Sequence, residues 1–330
     1  MAQATIGVDI GAGEIKMVTN SNGVIQKAAC FAMPRDLIKD GAIQSDAAMA
    51  AHLKEGGRKN RMKGRDVAAA VPRGSMYVHR LTVPLMTAEQ LELNLPYEFR
   101  DYLTQDKSHY FFDYYIVTPP KAEDKTMDIM AAVVRKEVVQ RYGRILNRAG
   151  YRLRTFIPEE LAYGNLIRSH GKRHPEEAGK DYCIIDLGHE STRVHLFRGD
   201  TIEVTRVIDT GGKDIDLVIG KVLGVDPYEA RMLKHENKDD VLSLPECAVI
   251  YSAIAVEIMR AINFYGFNYP ETDLEKAYLC GGGAKVGLLI RQIREMISPQ
   301  LDGIVQLMPD SARDIIDPFL YPVAVGLTLQ

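Results

Sequence analysis

The chain has 330 residues, 46% of them hydrophobic and 26% charged, with a formal net charge of −3. That is ordinary globular composition, with apolar material for two or three domains, and the charge balance gives no case for nucleic acid as a partner. The start MAQATIGV lacks the basic and apolar regions of a signal peptide, and no apolar run approaches the roughly 20 residues of a bilayer span. Strands are expected at 5–10, 14–19 and 24–31, the last two joined by Asn22-Gly23, a strong hairpin signal. A short helix follows, capped by Ser45 or Asp46 and ended by Gly56 and Gly57. DVAAAV and MYVHRLTVP read as strands. TAEQLELNL opens a helix with Thr87 and Gln90 at capping-box spacing, and the aromatic HYFFDYYIV is a further strand. Residues 33–118 therefore form a small mixed α/β unit. Beyond it come a buried strand, TMDIMAAVV, and an amphipathic helix ending at Gly150, then a second strand and helix, YRLRTFIP and EELAYGNLIRS.

At Tyr182 the opening pattern returns: strand, Asp-x-Gly, turn, strand, Gly-containing turn, strand, with the second copy reading as one turn residue longer. Two similar halves with a ligand between them are implied. Helices follow in GGKDIDLVIGKVLG, DPYEARMLKH and the long AVIYSAIAVEIMRAINFYGF, then strand, Gly-rich turn and helix in KAYLCGGGAKVGLLIRQIREMI. The apolar tail DPFLYPVAVGLTLQ packs back onto the body. Cys30, Cys183, Cys247 and Cys280 stand alone in apolar surroundings and read as buried free thiols. The basic stretch 54–65 reads as a solvated loop, or as a contact for anionic lipid or an acidic partner segment. The aromatics at 110–115 read as core plus an exposed face, or as a docking strand for an extended peptide.

A glycine turn between two strands can aim successive backbone N–H groups at one point and cradle a phosphate without side chains. Asp9 and Asp186 end the two repeated strands, and beside phosphate they make sense only with a divalent cation between. Lys16 supplies a point charge. The turn Cys280–Lys285 has neither P-loop nor GxGxxG spacing, and its glycines suit close approach of a purine or ribose.

GVDIGAGEIK, IIDLGHESTRV and YLCGGGAKVGLL resemble the first phosphate, second phosphate and adenosine motifs of the actin-like ATPase superfamily. Within it the chain resembles the PilM family of type IV pilus assembly, with FtsA as a sister. The resemblance extends over LIKDGAIQ, AAAVPRGSMYVHRLTVPLMTAEQLE, PYEFRDYL and FDYYIV. It implies an actin-like (ribonuclease H-like) two-domain α/β fold with an inserted small α/β subdomain, 1C. Subdomain 1A would hold 1–32 and 119–181, with 318–330 packed back on it; 1C would be 33–118 and domain 2 would be 182–317. It implies ATP and Mg²⁺ as cofactors. Asp9 and Asp186 would face the metal. Gly11, Ala12, Gly13, Lys16, Gly188, Ser191 and Thr192 would face phosphate, with Gly211 and Gly212 shaping the following helix. Lys234 would lie near the nucleoside, Gly281, Gly282 and Gly283 would hold adenosine, and Glu159 or its neighbour Glu160 would be the acidic residue of the first connecting helix, with Glu159 the catalytic candidate. The first turn departs from the family in carrying Ala12, Gly13 and Glu14 where hydroxyls are usual, and the second carries His189 and Glu190. Binding with slow hydrolysis is the expectation. As partner the resemblance implies a short N-terminal segment of a PilN-type inner-membrane protein in a groove involving 1C. The chain would then be cytoplasmic, reaching the inner face of the membrane only through that partner; self-association and other pilus components stay open. The rival readings are an FtsA-like filament protein, a nucleotide-free scaffold and a small-molecule kinase.

Overall fold

The computed structural model describes residues 5–329 apart from 40, 122, 316 and 318. Strands β1 (Thr5–Ile10), β2 (Glu14–Ser21) and β3 (Val24–Ala32) form an antiparallel meander. Asn22 and Gly23 turn it with φ of 53° and 79°, the left-handed pair that a tight hairpin needs. Two parallel strands extend the sheet on the other side of β1, giving the order Arg152–Ile157, Asp66–Ala70, β1, β2, β3. The second sheet repeats this plan. Asp181–Leu187, Thr192–Arg198 and Thr201–Ile208 are its meander, and Lys276–Cys280 and Gln300–Gly303 its parallel strands. Ile10 faces Ile15 and Leu187 faces Thr192, so the two first turns are equal in length and the second copy is not longer.

The helices are α1 (Asp46–Lys59), α2 (Ala88–Glu98), α3 (Lys136–Ala149), α4 (Glu159–Arg173), α5 (Gly212–Leu223), α6 (Pro227–Glu236), α7 (Pro245–Asn268) and α8 (Gly287–Met296). Ser45 accepts from the Ala48 amide at 3.2 Å and so caps α1, and Thr87 and Gln90 close a reciprocal capping box on α2. Gly56 and Gly57 do not end α1. They sit inside it because a Cβ there would lie 2.4 Å from the Phe31 ring and 1.9 Å from the Tyr151 hydroxyl. Helix packing, not termination, demands them, and Lys54, Arg58 and Lys59 of the basic stretch are helical, not loop.

Asp66–Ala70, which the sequence places in the insertion, pairs with β1 and with Arg152–Ile157 in the first sheet. Its Val67, Ala68 and Ala69 are buried, as befits a central parallel strand covered on both faces. The separate three-stranded antiparallel sheet consists of Met76–Pro84, Thr126–Arg135 and Tyr110–Thr118, with Thr126–Arg135 in the middle. α2 covers it, and Leu91, Leu95 and Phe99 join Ile129 and Val133 in its core.

α4 and a short tail helix, Pro322–Gly326, fill the wedge between the two five-stranded sheets. Tyr163 and Leu166 of α4 and Val325 of the tail share one core with Val18 of the first sheet and Ile184 of the second. Contrary to the sequence reading that no apolar run approaches a bilayer span, α7 is long and apolar enough by composition to make one. Here its Tyr251, Ile254, Ile258 and Tyr265 are buried in the core of the second half with Leu289 and Ile293 of α8. Cys183, Cys247 and Cys280 are buried free thiols, and Cys30 is half-buried and also free.

Candidate functional site

The ends of β1 and of Asp181–Leu187 carry the site. In the antiparallel register Asp9 faces Lys16, and in the second half Asp186 faces Arg193, so the two cations occupy equivalent positions. The Lys16 ammonium lies 3.8 Å from the Asp9 carboxylate. Arg193 turns instead to Glu159, the first residue of α4, and forms a close ion pair with it. Arg73, from the turn after Asp66–Ala70, closes the cluster. Its Nε is 3.5 Å from Glu159 Oε2, one Nη is 3.4 Å from Asp186 Oδ2, and the other donates to Ser191 Oγ at 3.4 Å. Three carboxylates and three cations thus meet between the sheets.

Burial would push the Glu159 carboxyl upward, but the guanidiniums of Arg73 and Arg193 outweigh it and hold it down at about 2. Glu159, not Glu160, therefore makes the cluster contacts. Burial raises the Asp9 carboxyl above its ordinary value against the pull of Lys16. Burial also opposes the Lys16 charge, yet the nearby carboxylates, Asp9 foremost, win and keep it protonated. His195 is fully buried, and that burial keeps it neutral although its Nε2 is 3.7 Å from Glu159.

The two glycine turns close alike. The Gly11 amide donates to the Glu14 carbonyl at 3.0 Å, and the Gly188 amide to the Ser191 carbonyl at 3.1 Å. Ala12 and Gly13 lie at the apex of the first turn, and Arg231 of α6 reaches across to donate to the Gly13 carbonyl at 3.2 Å. Gly211 and Gly212 brace the second turn. The Gly212 and Lys213 amides donate to the Gly188 and His189 carbonyls, and the Gly211 amide to Asp214 of α5. Those three donors are spent within the protein, so they do not face a ligand. Lys234 is likewise tethered, 2.6 Å from Asp216 and 2.7 Å from the Gly212 carbonyl. Burial, together with Arg231 and Lys234, lowers the His189 imidazole to about 4, so this turn carries a neutral histidine.

Ser191 reaches the cluster, whereas the Thr192 hydroxyl is buried without a hydrogen-bond partner. The turn after Lys276–Cys280 lies against Asp186. A Cβ on Gly281, whose φ is 86°, would sit 2.5 Å from both Asp186 Oδ1 and the Leu187 carbonyl. Gly283 is held against the Leu187 side chain, but Gly282 between them faces open space.

Arg73, Arg193 and His195 were not singled out by sequence. Arg193 had a signal: it stands seven residues after Asp186, as Lys16 does after Asp9. Arg73 and His195 had none, since their partners are far away in the chain.

The donor set fits Mg²⁺, a hard cation that takes one or two carboxylates and completes its shell with water and phosphate oxygens. Among the described residues no three acidic, His or Cys side chains close into a metal cage.

Two five-stranded sheets of one topology, with a helix and the chain's tail between them and an Asp-x-Gly hairpin on each facing side, define an actin-like fold. Residues 7–311 match the family of the type IV pilus assembly protein PilM, and the chain belongs to that family. It is similar to the solved PilM–PilN type IV pilus biogenesis complex, with TM-score 0.82 and 22% identity over 98% of this chain and 97% of that one. The ethanolamine utilization protein EutJ from Carboxydothermus hydrogenoformans gives TM-score 0.62 and 16% identity over 99% and 89%. MreB5 of Spiroplasma citri bound to ADP gives 0.51 and 14% over 98% and 94%. At these identities the likeness is one of fold. Comparison with curated protein sequences gives no match.

Proposed function

We propose that the chain is a nucleotide-gated scaffold of the pilus assembly machinery, binding ATP with Mg²⁺ between its two halves and docking the N-terminal segment of a PilN-type inner-membrane protein. The observation that carries the nucleotide part is the duplicated hairpin: Asp9 and Asp186 each end a strand, precede a glycine turn, and share one charged cluster. The Gly11 and Gly188 amides are spent in closing the turns, so the apex amides of Ala12 and Gly13, and of His189 and Glu190, would cradle phosphates, with Lys16 as a fixed charge beside them. Asp9 and Asp186 would hold Mg²⁺, which neutralises phosphate charge when bound. Gly282 leaves room for the nucleoside.

Hydrolysis by this site is slow. A general base works best with a pKa near the operating pH, and Glu159 is held at about 2 by two guanidiniums. His195 is neutral but shut away from solvent. The first turn has no hydroxyl donor at Ala12 or Gly13.

For the partner, the support is family membership and the fact that a solved relative is itself a PilM–PilN complex. The three-stranded sheet offers an exposed aromatic on each edge strand, Tyr77 on Met76–Pro84 and Phe111 on Tyr110–Thr118; their registers with Val133 and Val134 put them on opposite faces, Tyr77 on the face that carries Tyr110. An extended peptide added along one of these edges gains affinity from main-chain hydrogen bonds and from contact with the aromatic there. The chain then works at the inner face of the membrane, brought there by its partner. The test is fractionation with and without the co-expressed partner. The chain should join the membrane fraction only with the partner, and Tyr77→Ala with Phe111→Ala should weaken that recruitment about tenfold or more. Equal binding of the purified chain to protein-free lipid vesicles would overturn the reading. So would recruitment that ignores both substitutions. Removal of 33–118 is not a usable test, because it takes a central strand, Asp66–Ala70, out of the first sheet.

A further inference from the structure

We propose that Arg73 senses the terminal phosphate: its guanidinium leaves Asp186 and Glu159 to pair with the last phosphate of a nucleotide seated on the second glycine turn. This rests on the nucleotide reading above and assigns a residue to it.

The geometry of the two arginines differs. Arg193 is almost wholly buried, its side chain 9% exposed, and closely paired with Glu159. Arg73 is 43% exposed, and each of its three polar contacts, to Asp186, Glu159 and Ser191, is between 3.4 and 3.5 Å. These are long for charge-assisted hydrogen bonds, which favour about 2.7–2.9 Å. Arg73 is thus held by the field of the carboxylates and not by a fitted fork, whereas Arg193 is a fixed strut. Both Nη atoms of Arg73 also lie 3.8 Å from where a Cβ of Gly188 would be, so the guanidinium overhangs the turn whose backbone would cradle an anion.

The exchange of partners follows from charge. A divalent cation and the guanidinium would compete for the same carboxylate oxygens of Asp186. A phosphate offers the guanidinium two oxygens at the spacing of its fork, which a point-charge ammonium cannot match. The turn that carries Arg73 is short and anchored. The Val71 amide donates to the Ile157 carbonyl at 2.9 Å, the Ser75 amide donates to the Pro72 carbonyl at 3.1 Å, and Gly74 takes a φ of 71°. It leads straight from Asp66–Ala70 into Met76–Pro84. A change of partner at Arg73 therefore acts on the link between the first sheet and the three-stranded sheet, whose Met76–Pro84 edge is one of the two offered above for partner docking.

The experiment is calorimetric titration of the full chain with ATP and with ADP, each with Mg²⁺, for the parent, Arg73→Gln and Arg73→Lys. The glutamine variant should lose about tenfold to hundredfold in ATP affinity and leave ADP within about threefold, a margin small beside one charged hydrogen bond. The lysine variant should recover only part of the ATP preference. Circular dichroism melts of each variant confirm folding before titration. An unchanged ratio of ATP to ADP affinity in Arg73→Gln, or an equal loss of both, overturns the assignment while leaving the nucleotide site standing. A parent chain that binds neither nucleotide overturns both.

Discussion

Alanine at Gly7 should destabilise the protein by about 3 kcal/mol or more, the upper end of what overpacking costs. Gly7 sits in the middle of β1, where the tail crosses. A Cβ there would lie 1.9 Å from the Ala324 carbonyl oxygen and 2.9 Å from its carbon. That obstacle is backbone, so no rotamer change relieves it. The tail cannot retreat either, because Gly326 lies equally close to α4: a Cβ on Gly326 would meet the Ala162 carbonyl at 2.0 Å. Asn165 fixes this seam by donating to the Gly326 carbonyl at 3.1 Å. The tail is therefore clamped between β1 and α4, and either glycine substitution must pry it out of a core that joins both sheets. In thermal melts this corresponds to a fall of about 4 °C or more for a chain of this length. Gly143→Ala is the control. It lies within α3 with open space around its Cβ, and should stabilise by up to about 1 kcal/mol from helix propensity alone. A Gly7→Ala protein that melts with the parent would show that the tail is not seated there.

The second large effect separates two adjacent glycines. Gly282→Val should cost at least about a hundredfold in ATP affinity, which is roughly 3 kcal/mol, with little change in melting temperature. Its side chain would enter open space and so meet a ligand before it meets the protein. Gly281→Ala should do the reverse first. Its φ of 86° disfavours any side chain, and the new Cβ would press on Asp186 Oδ1 and the Leu187 carbonyl. Stability should fall, and nucleotide affinity with it, because Asp186 is displaced. Retention of ATP affinity in Gly282→Val, measured by calorimetry on a variant that melts like the parent, would place the nucleoside elsewhere.

Local signals were legible because they are complete within a few residues. Asn22-Gly23, the Thr87–Gln90 box and Gly150, with φ of 96° at the end of α3, each state their geometry without help from the rest of the chain. The repeat was legible as well, because each half must build its own hairpin around an aspartate. Three things were not. Asp66–Ala70 looks like any short apolar strand, and its partner β1 is some 60 residues earlier in the sequence. Gly56 and Gly57 mimic a helix stop, although a glycine that ends a helix and one that admits a neighbouring ring read alike. Arg73 meets Asp186 and Ser191 across separations of 113 and 118 residues, which no periodicity reports. The cluster's carboxylates could be read from sequence, and Arg193 had a signal in the repeat, but Arg73, the first of the two guanidiniums that depress Glu159, had none.

The most direct measurement is calorimetric titration of ATP into the parent chain and into Asp9→Ala, each with and without Mg²⁺. The expected result is one site per chain, with affinity raised by Mg²⁺ in the parent and the Mg²⁺ effect lost in Asp9→Ala. Absence of binding by the parent in the presence of Mg²⁺, or a Mg²⁺ effect of equal size in Asp9→Ala, would contradict a nucleotide site built on the two repeated aspartates.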